Sequence, residues 1–267
     1  MCVRSAPALE KATVVSNTEF SPGLHSIVLR APQAARAICA GQFVHLRISP
    51  EETLRRPLSV YRCDGDTIEI IYHVVGRGTA RLAAKLAGDQ TMDLIGPLGN
   101  TWPIPDGVER ALIVGGGVGA APLGMLAADL QRRGVDTTVL IAAQTKGRLI
   151  GEEHFIGCGC GVTCSTDDGS YGIAGLVTDP LREALDSGHY DVAYVCGPEV
   201  MQAKVASLTV FHGVLTYVSL ERLMACGIGA CLSCVVPTTR GQKRACVDGP
   251  IFNAEEVLWD EAAASRA

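Results

Sequence analysis

The sequence predicts a multi-domain chain: an N-terminal antiparallel β-barrel, an α/β nucleotide domain with a parallel sheet, and a small C-terminal cysteine segment. Three observations predict it. The first ~100 residues break into short β-branched runs separated by Gly, Pro and Asp. Beyond the stretch "WPIPDG" the texture changes to alternating strand and helix, the pattern of a parallel sheet covered on both faces. Near the C-terminus, "MACGIGACLSCVVPTTRGQKRAC" (Met224 to Cys246) packs four cysteines into one glycine-spaced stretch. The boundaries that follow are 1–104, 105–212 and 213–267.

Composition narrows the classes. Of 267 residues, 48% are hydrophobic and 19% charged, which is enough apolar material for full cores and excludes a disordered chain. The net charge of −5 makes nucleic acid a poor partner, and the basic cluster Gln131-Arg132-Arg133 is too small to change that. Ala111 to Ala128 carries no charge, but Gly115, Gly116, Gly117, Gly119, Gly124 and Pro122 read as strand, turn and helix, not a membrane span. The opening "MCVRSAPALEKATVV" has no apolar leader core, so a cytoplasmic location is expected. In such a compartment clustered cysteines point to metal or catalysis before disulfides; there are 11, an odd number.

The barrel strands are read from "KATVVSNTEF", "LHSIVLRA", "QFVHLRIS", "PLSVYRC" and "TIEIIYHVV". One helix interrupts them, "GTARLAAKLAGD", with Thr79 as N-cap and Gly88 as its stop; "GPLGNTW" (Gly96 to Trp102) reads as a loop. In the second part, "RALIVGGG" is a buried strand and glycine turn. The helix "APLGMLAADLQRRG" follows, with Leu123, Leu126, Ala127 and Leu130 on one face and Gly134 at its end. Then come the strand "TTVLIAAQ", an irregular middle, the helix "TDPLREALDSG" and the strand "DVAYVCG".

Four motifs carry chemistry. "GGGVGA" (Gly115 to Ala120) fits G-x-G-x-x-A, where missing Cβ atoms let backbone approach a pyrophosphate. The acidic residue expected about 20 positions later is absent, since that strand ends "LIAAQTK". "RRPLSVY" offers Arg56 as a forked partner for a pyrophosphate and the Ser59 hydroxyl for a flavin ring, and Gly78-Thr79 opens a helix suited to the same phosphates. "VCGPEVM" puts Cys196, Gly197 and Pro198 at the end of a buried strand, where ligands of parallel sheets gather.

The fourth motif is Cys226-x4-Cys231-x2-Cys234-x11-Cys246. Zinc sites prefer paired knuckles, and only Cys231 and Cys234 form one. The order C-x4-C-x2-C…C is that of plant-type [2Fe–2S] ligation, and Gly227, Gly229 and Ala230 leave backbone N–H groups free to face the sulfurs. Zinc and chance remain open at this point. The final gap is shorter than that of a plant-type ferredoxin. Cys158, Cys160 and Cys164 read as structural thiols; Cys2, Cys39 and Cys63 read as incidental and the six histidines as ordinary. No hydrolase or NTPase motif is present, and no side-chain acid or base is expected to be catalytic.

Taken in order, R-P-L-S, G-x-G-x-x-A, C-G-P and the cysteine segment resemble the ferredoxin–NADP reductase superfamily over nearly the whole chain. Within it the sequence is most similar to the electron-transfer subunits of type B dihydroorotate dehydrogenases, through "RRPLSVY", "TDDGSYGIAGLVTD", "CGPEVM" and "SLERLMACGIGACLSCVVP…ACVDGPIFNAEEV". The resemblance implies FAD, a [2Fe–2S] cluster and NAD as cofactors. It implies FAD contacts from Arg56, Pro57, Leu58 and Ser59, from Ile71, Tyr72 and His73 (where the family usually has arginine at the last position), and from Gly78 and Thr79. It implies Cys226, Cys231, Cys234 and Cys246 as cluster ligands, and Gly115, Gly117 and Gly119 with Cys196, Gly197 and Pro198 as the nicotinamide nucleotide site. The implied partner is an FMN-containing dihydroorotate dehydrogenase catalytic subunit, in a heterotetramer of two of each, in pyrimidine biosynthesis. Neither nucleic acid nor membrane is expected as a partner. A hydrogenase or ferredoxin is the alternative partner, and a zinc-stabilised binding module the alternative of another class.

Overall fold

The computed structural model describes residues 5–90 and 93–259. The chain groups into two compact units. One takes the described residues up to Thr101 together with Glu221–Val235 and Arg244–Pro250. The other takes Trp102–Leu220, Val236–Lys243 and the described residues from Ile251 onward. The segment 213–267, expected as a third domain, is divided between these two units.

In the first unit the strands are β1 (Ala8–Glu10), β2 (Thr13–Ser21), β3 (Leu24–Arg30), β4 (Phe43–Arg47), β5 (Arg56–Ser59), β6 (Arg62–Asp64), β7 (Thr67–His73) and β8 (Asp93–Leu98). They form two four-stranded antiparallel sheets, β1-β8-β4-β5 and β2-β3-β7-β6. Period-two alternation builds their core: in β7, Ile68, Ile70 and Tyr72 point inward between half-exposed neighbours. "PLSVYRC", read as one strand, is two: β5 and β6 lie in different sheets, with Val60 and Tyr61 as the buried joint.

Two helices accompany the sheets, α1 (Pro32–Ala37) and α2 (Arg77–Ala83). Thr79 is not the N-cap of α2; Gly76 holds that place. Thr79 stands at the third helical position, and its Oγ1 reaches back to accept from the N–H groups of Val75 and Gly76 at 3.0 and 3.2 Å. The helix ends at Ala83, before Gly88. The expected loop "GPLGNTW" is also partly strand, because β8 runs through Leu98. A register shift in β4 opposite, between Phe43 and His45, accommodates Pro97, which has no N–H to donate.

The second unit holds one seven-stranded sheet of order β12-β11-β10-β9-β13-β14-β17. Its members are β9 (Arg110–Gly116), β10 (Asp136–Ala143), β11 (Gly161–Thr166), β12 (Ile173–Ala174), β13 (Val192–Cys196), β14 (Leu215–Ser219) and β17 (Ile251–Asn253). All pairings are parallel except that of β17 with β14. The strands β15 (Val235–Thr238) and β16 (Gly241–Arg244) form a separate two-stranded sheet. Residues 111–116 of β9 are all buried, as a strand covered on both faces must be.

The helices here are α3 (Gly124–Arg132), α4 (Glu152–Gly157), α5 (Thr178–Ser187) and α6 (Glu199–Phe211). The expected face of α3 is buried: Leu123, Leu126, Ala127 and Leu130 are each fully inaccessible. The "irregular middle" is regular, comprising α4, β11 and β12; its elements are short and glycine-flanked, so no periodicity had room to show. Cys160 and Cys164 are buried there, and burial pushes their thiols up to about 11 and about 12, as suits inert packing residues. Of the cysteines read as incidental, Cys2 lies outside the described residues, Cys63 is a half-buried free thiol, and Cys39 is disulfide-bonded. Among the described residues no helix is long and apolar enough to cross a membrane.

Candidate functional site

The arginine–serine motif occupies β5, an edge strand, which is where a proline is tolerated. Its register sets Arg56 opposite Leu46, Pro57 opposite His45, Leu58 opposite Val44 and Ser59 opposite Phe43. Arg56 donates to Glu52 Oε2 at 2.7 Å and lies against Gly78, where any Cβ would collide with the guanidinium. Glu52 is buried and was not singled out in the sequence. It also accepts from Arg81 at 3.1 Å and pairs with Arg77 at 3.4 Å. Three guanidiniums thus share one buried carboxylate, with exposed Glu51 a further 3.6 Å from Arg81. The surplus positive charge and the bare Gly78 backbone fit a bound pyrophosphate.

The second segment divides by face. Ile71 and His73 are half-exposed, and His73 lies against Gly23. Tyr72 points the other way, into the core. Its hydroxyl donates to Asn17 Oδ1 at 3.1 Å, and Asn17 Nδ2 donates in turn to the carbonyls of Leu82, Ala83 and Lys85 at the end of α2. Burial pushes the Tyr72 phenol up to about 12. Tyr72 therefore holds α2 to the sheet and does not line the strand's open face.

The four cysteines fall in this same unit. Cys234 and Cys246 are buried with their sulfurs 3.2 Å apart. Cys226 Sγ accepts from the N–H of Cys231 at 3.4 Å. Hydrogen bonds from Ser233 draw the exposed Cys231 thiol down to about 6, whereas burial pushes Cys246 up to about 12. The loop needs unusual backbone: Gly227, Gly229 and Leu232 have φ of 71°, 83° and 57°. Among the described residues, no three His, Cys, Asp or Glu side chains converge as ligands of one ion. A two-iron cluster takes its cysteines in pairs, and pairs are what this loop presents. Arg244 is paired with Asp248 at 3.2 Å and donates to the Gly229 carbonyl.

Beneath the loop lies His45, read from sequence as ordinary. It is fully buried on β4, and a Cβ on Gly227 would stand 2.5 Å from its Nδ1. Its ring nitrogens face the backbone of Cys226 and of Arg55 but make no hydrogen bond within normal geometry. Burial lowers its pKa below 6.5. Every residue of β4 from Phe43 to Leu46 is buried, so no alternation marked this histidine as facing a site.

The nucleotide motif sits in the second unit. Gly115 and Gly116 end β9, and Gly117 to Leu123 make a 3-10 turn leading into α3. The glycines divide their work. A Cβ on Gly115 would stand 2.9 Å from Ala120, and one on Gly119 would stand 2.6 Å from the Gly197 backbone. Only Gly117 has φ of 54° with open space where a Cβ would be. Cys196 pairs in register with Gly115, which sets Cys196, Gly197 and Pro198 beside the turn at the C-terminal ends of adjacent parallel strands. An acidic residue does stand beside the end of β10, brought there by another loop. The N–H groups of Asp167 and Asp168 donate to the carbonyls of Ala143 and Gln144 at the end of β10. Ser170 Oγ then donates to Asp168 Oδ1 at 2.6 Å and accepts from the N–H of Lys146 at 2.8 Å. The carboxylate arrives from the neighbouring strand's loop, where a spacing rule counted along one chain segment does not look.

The cysteine segment and the fold both have counterparts among known proteins. Residues 221–258 match the iron–sulfur cluster binding domain of dihydroorotate dehydrogenase B. The electron-transfer subunit of dihydroorotate dehydrogenase B (NAD(+)) from Bacillus caldolyticus is 41% identical over 259 residues, covering 93% of this chain and 98% of that one. The corresponding subunit from Clostridium perfringens is 36% identical over 92% of this chain and 97% of its own. Among solved structures, an NADH-dependent reduced ferredoxin–NADP oxidoreductase studied for flavin-based electron bifurcation superposes with a TM-score of 0.88. It is 32% identical over 96% of this chain and 93% of that one. The cytochrome P450 reductase GcoB from Amycolatopsis shares the fold alone, at 24% identity and a TM-score of 0.66 over 78% of this chain and 68% of its own. An FAD-binding reductase fold with an iron–sulfur binding segment, and identity of this extent along almost the full length of the relatives, make this chain a member of the family of dihydroorotate dehydrogenase B electron-transfer subunits.

Proposed function

We propose that the chain passes electrons from a dihydroorotate-oxidising, FMN-containing catalytic partner to NAD+, in pyrimidine biosynthesis. The observation that carries the reading is that the paired cysteines and the arginine–serine strand belong to one compact unit, with His45 between them. Bound FAD and a bound [2Fe–2S] cluster supply the exchange between one-electron and hydride chemistry that this task needs.

The residues divide the work as follows. Arg56 binds the FAD pyrophosphate, Gly78 lets the backbone of α2 approach it, and the Ser59 hydroxyl and the half-exposed Leu58 and Ile71 meet the flavin. Cys226, Cys231, Cys234 and Cys246 hold the cluster as thiolates. Gly117 admits the nicotinamide nucleotide to the turn, and Asp168 reads its ribose hydroxyls and repels a 2′-phosphate. Leu223, Ile228 and Leu232 are 90%, 57% and 62% exposed beside the cysteines, and this apolar rim supports docking of the catalytic subunit there. The assembly we propose has two of each subunit.

The likeness to the ferredoxin–NADP oxidoreductase favours one second reading, the same cofactor set serving a ferredoxin- or hydrogenase-type partner. Co-purification under anaerobic conditions separates the two. The first reading expects an FMN barrel subunit in the complex and NADH formation when dihydroorotate is added with NAD+. A different redox partner, with no dihydroorotate-dependent reduction, selects the second.

A further inference from the structure

We propose that His45 is a positioning residue that fixes the cysteine loop against the flavin strand, and so sets the cluster's environment and its electron exchange with the flavin. The inference rests on the cluster and flavin readings above.

Four observations meet at this side chain. It is fully buried, yet neither ring nitrogen has a hydrogen-bond partner within normal geometry. A buried imidazole costs free energy unless something offsets it, so its retention calls for a reason. Its strand position pairs it with Pro57, at the centre of the arginine–serine segment. The backbones of Arg55, which precedes that segment, and of Cys226 both lie near the ring. Gly227, the next residue, has φ of 71° and stands so close that a Cβ would sit 2.5 Å from Nδ1. The cysteine loop is therefore seated on the imidazole. A rigid ring of this size, with Nδ1 against Gly227, sets the height of the loop above β4. An aliphatic side chain of similar volume would fill the space but offer neither backbone a polar neighbour.

The role needs no proton transfer. His45 acts through its shape and its dipoles on Cys226 and Gly227, as groups around ligating residues do in other metal sites.

The test uses the full chain with flavin and cluster reconstituted anaerobically, as wild type, His45→Leu, His45→Gln and Gly227→Ala. Three readouts apply: the electron paramagnetic resonance spectrum of the dithionite-reduced cluster, its midpoint potential, and the rate at which it is reduced after flavin reduction by NADH. His45→Leu is expected to alter the spectrum and slow cluster reduction by about tenfold, with flavin content unchanged. His45→Gln, which keeps polar atoms beside both backbones, is expected to restore most of the rate. Gly227→Ala approaches the same contact from the loop and is expected to reproduce the spectral change with His45 intact, which keeps the proposal testable where His45→Leu fails to fold. Wild-type spectrum, potential and rate in Gly227→Ala and in whichever His45 variants fold would overturn the proposal. A wild-type chain without a two-iron signal refutes the cluster reading itself, a separate result that removes the proposal with it.

Discussion

Glu52 and Arg56 form an ion pair at 2.7 Å in which the carboxylate is only 3% exposed and the guanidinium 29%. The carboxylate also serves Arg77 and Arg81, so it is the one buried negative charge among three positive ones. Removing its charge leaves neighbouring guanidiniums that repel. Glu52→Gln is expected to destabilise the flavin-free protein by about 2 kcal/mol, well below the cost of a fully buried pair because the arginines are partly solvated. A bound pyrophosphate restores the missing negative charge, so saturating FAD should raise the melting temperature more in this variant than in wild type. Calorimetry with and without FAD measures both; an equal FAD shift in the two proteins counts against Arg56 as the phosphate partner.

Gly119 and Gly117 make opposite predictions. A methyl group at Gly119 meets the backbone of Gly197 at 2.6 Å and the Cys196 carbonyl at 2.7 Å, neither of which can turn aside. Gly119→Ala should cost about 1–3 kcal/mol in stability, in the range of overpacked cores. Gly117→Ala meets nothing but must adopt φ of 54°, a strain of about 1 kcal/mol. It should fold normally and weaken NADH binding. Denaturation curves and NADH titration of the two variants separate the packing glycine from the binding one.

These glycines also show what the sequence made legible. The G-x-G-x-x-A motif was visible because strand, turn and helix leave it no other place, and the α3 face was visible from four apolar residues at helical spacing. Which glycine packs and which opens to a ligand depends on Gly197, nearly 80 positions away, and no local pattern carries that. The helix α6 escaped for a different reason: "EVMQAKVASLTVF" is apolar on most sides and shows little periodicity. Tyr72 read as a flavin residue through family likeness, while its burial follows from strand alternation that was already in the sequence; its bond to Asn17, 55 positions away, does not. His45 and Glu52 were invisible because each becomes notable only when the elements around it assemble.

Cys231 is the exposed cysteine of the four. Cys231→Ser is expected to abolish or severely deplete the cluster, seen as loss of acid-labile sulfide and of the visible bands outside the flavin envelope. Far-ultraviolet circular dichroism and NADH affinity should change little, since the nucleotide turn is built in the other unit. Collapse of the whole fold would instead assign the metal a structural role, as in small zinc domains. Two irons and two sulfides per chain in the wild type is the matching positive result, and one zinc per chain the contrary one.

Asp191 gives a pH dependence with a definite sign. Its Oδ2 accepts from the N–H of Arg110 at 2.8 Å and of Glu109 at 2.9 Å, at the start of β9. These bonds hold the carboxyl below its usual 3.8. A lowered folded-state pKa means the contribution is fully present above the unfolded value and is lost as pH falls through the folded one. The group is partly exposed, so the contribution is about 1 kcal/mol or less. Asp191→Asn should be less stable than wild type at pH 6, and the gap should close as the pH drops below 3.8. Urea denaturation of the flavin-loaded protein from pH 6 downward reads it directly; a gap that widens on acidification contradicts the assignment.

Asp168 carries the proposed choice between the two nicotinamide nucleotides. Its carboxylate is held by the hydroxyl and N–H of Ser170, which lower its pKa and keep it charged at neutral pH. The loop that carries it is tied to the end of β10 through Asp167 and Asp168. A fixed negative charge there accepts hydrogen bonds from ribose hydroxyls and repels a phosphate on the same ribose. Lys146 and Arg148 stand just beyond β10 and supply positive charge once the carboxylate is gone. Asp168→Ser should therefore weaken NADH and strengthen NADPH, with the ratio of kcat/KM moving by at least about tenfold. Steady-state reduction of an artificial acceptor by each nucleotide measures it. An unchanged ratio would move the ribose contact elsewhere on the sheet's C-terminal edge, and Asp167, one residue earlier in the same loop, is the next position to alter.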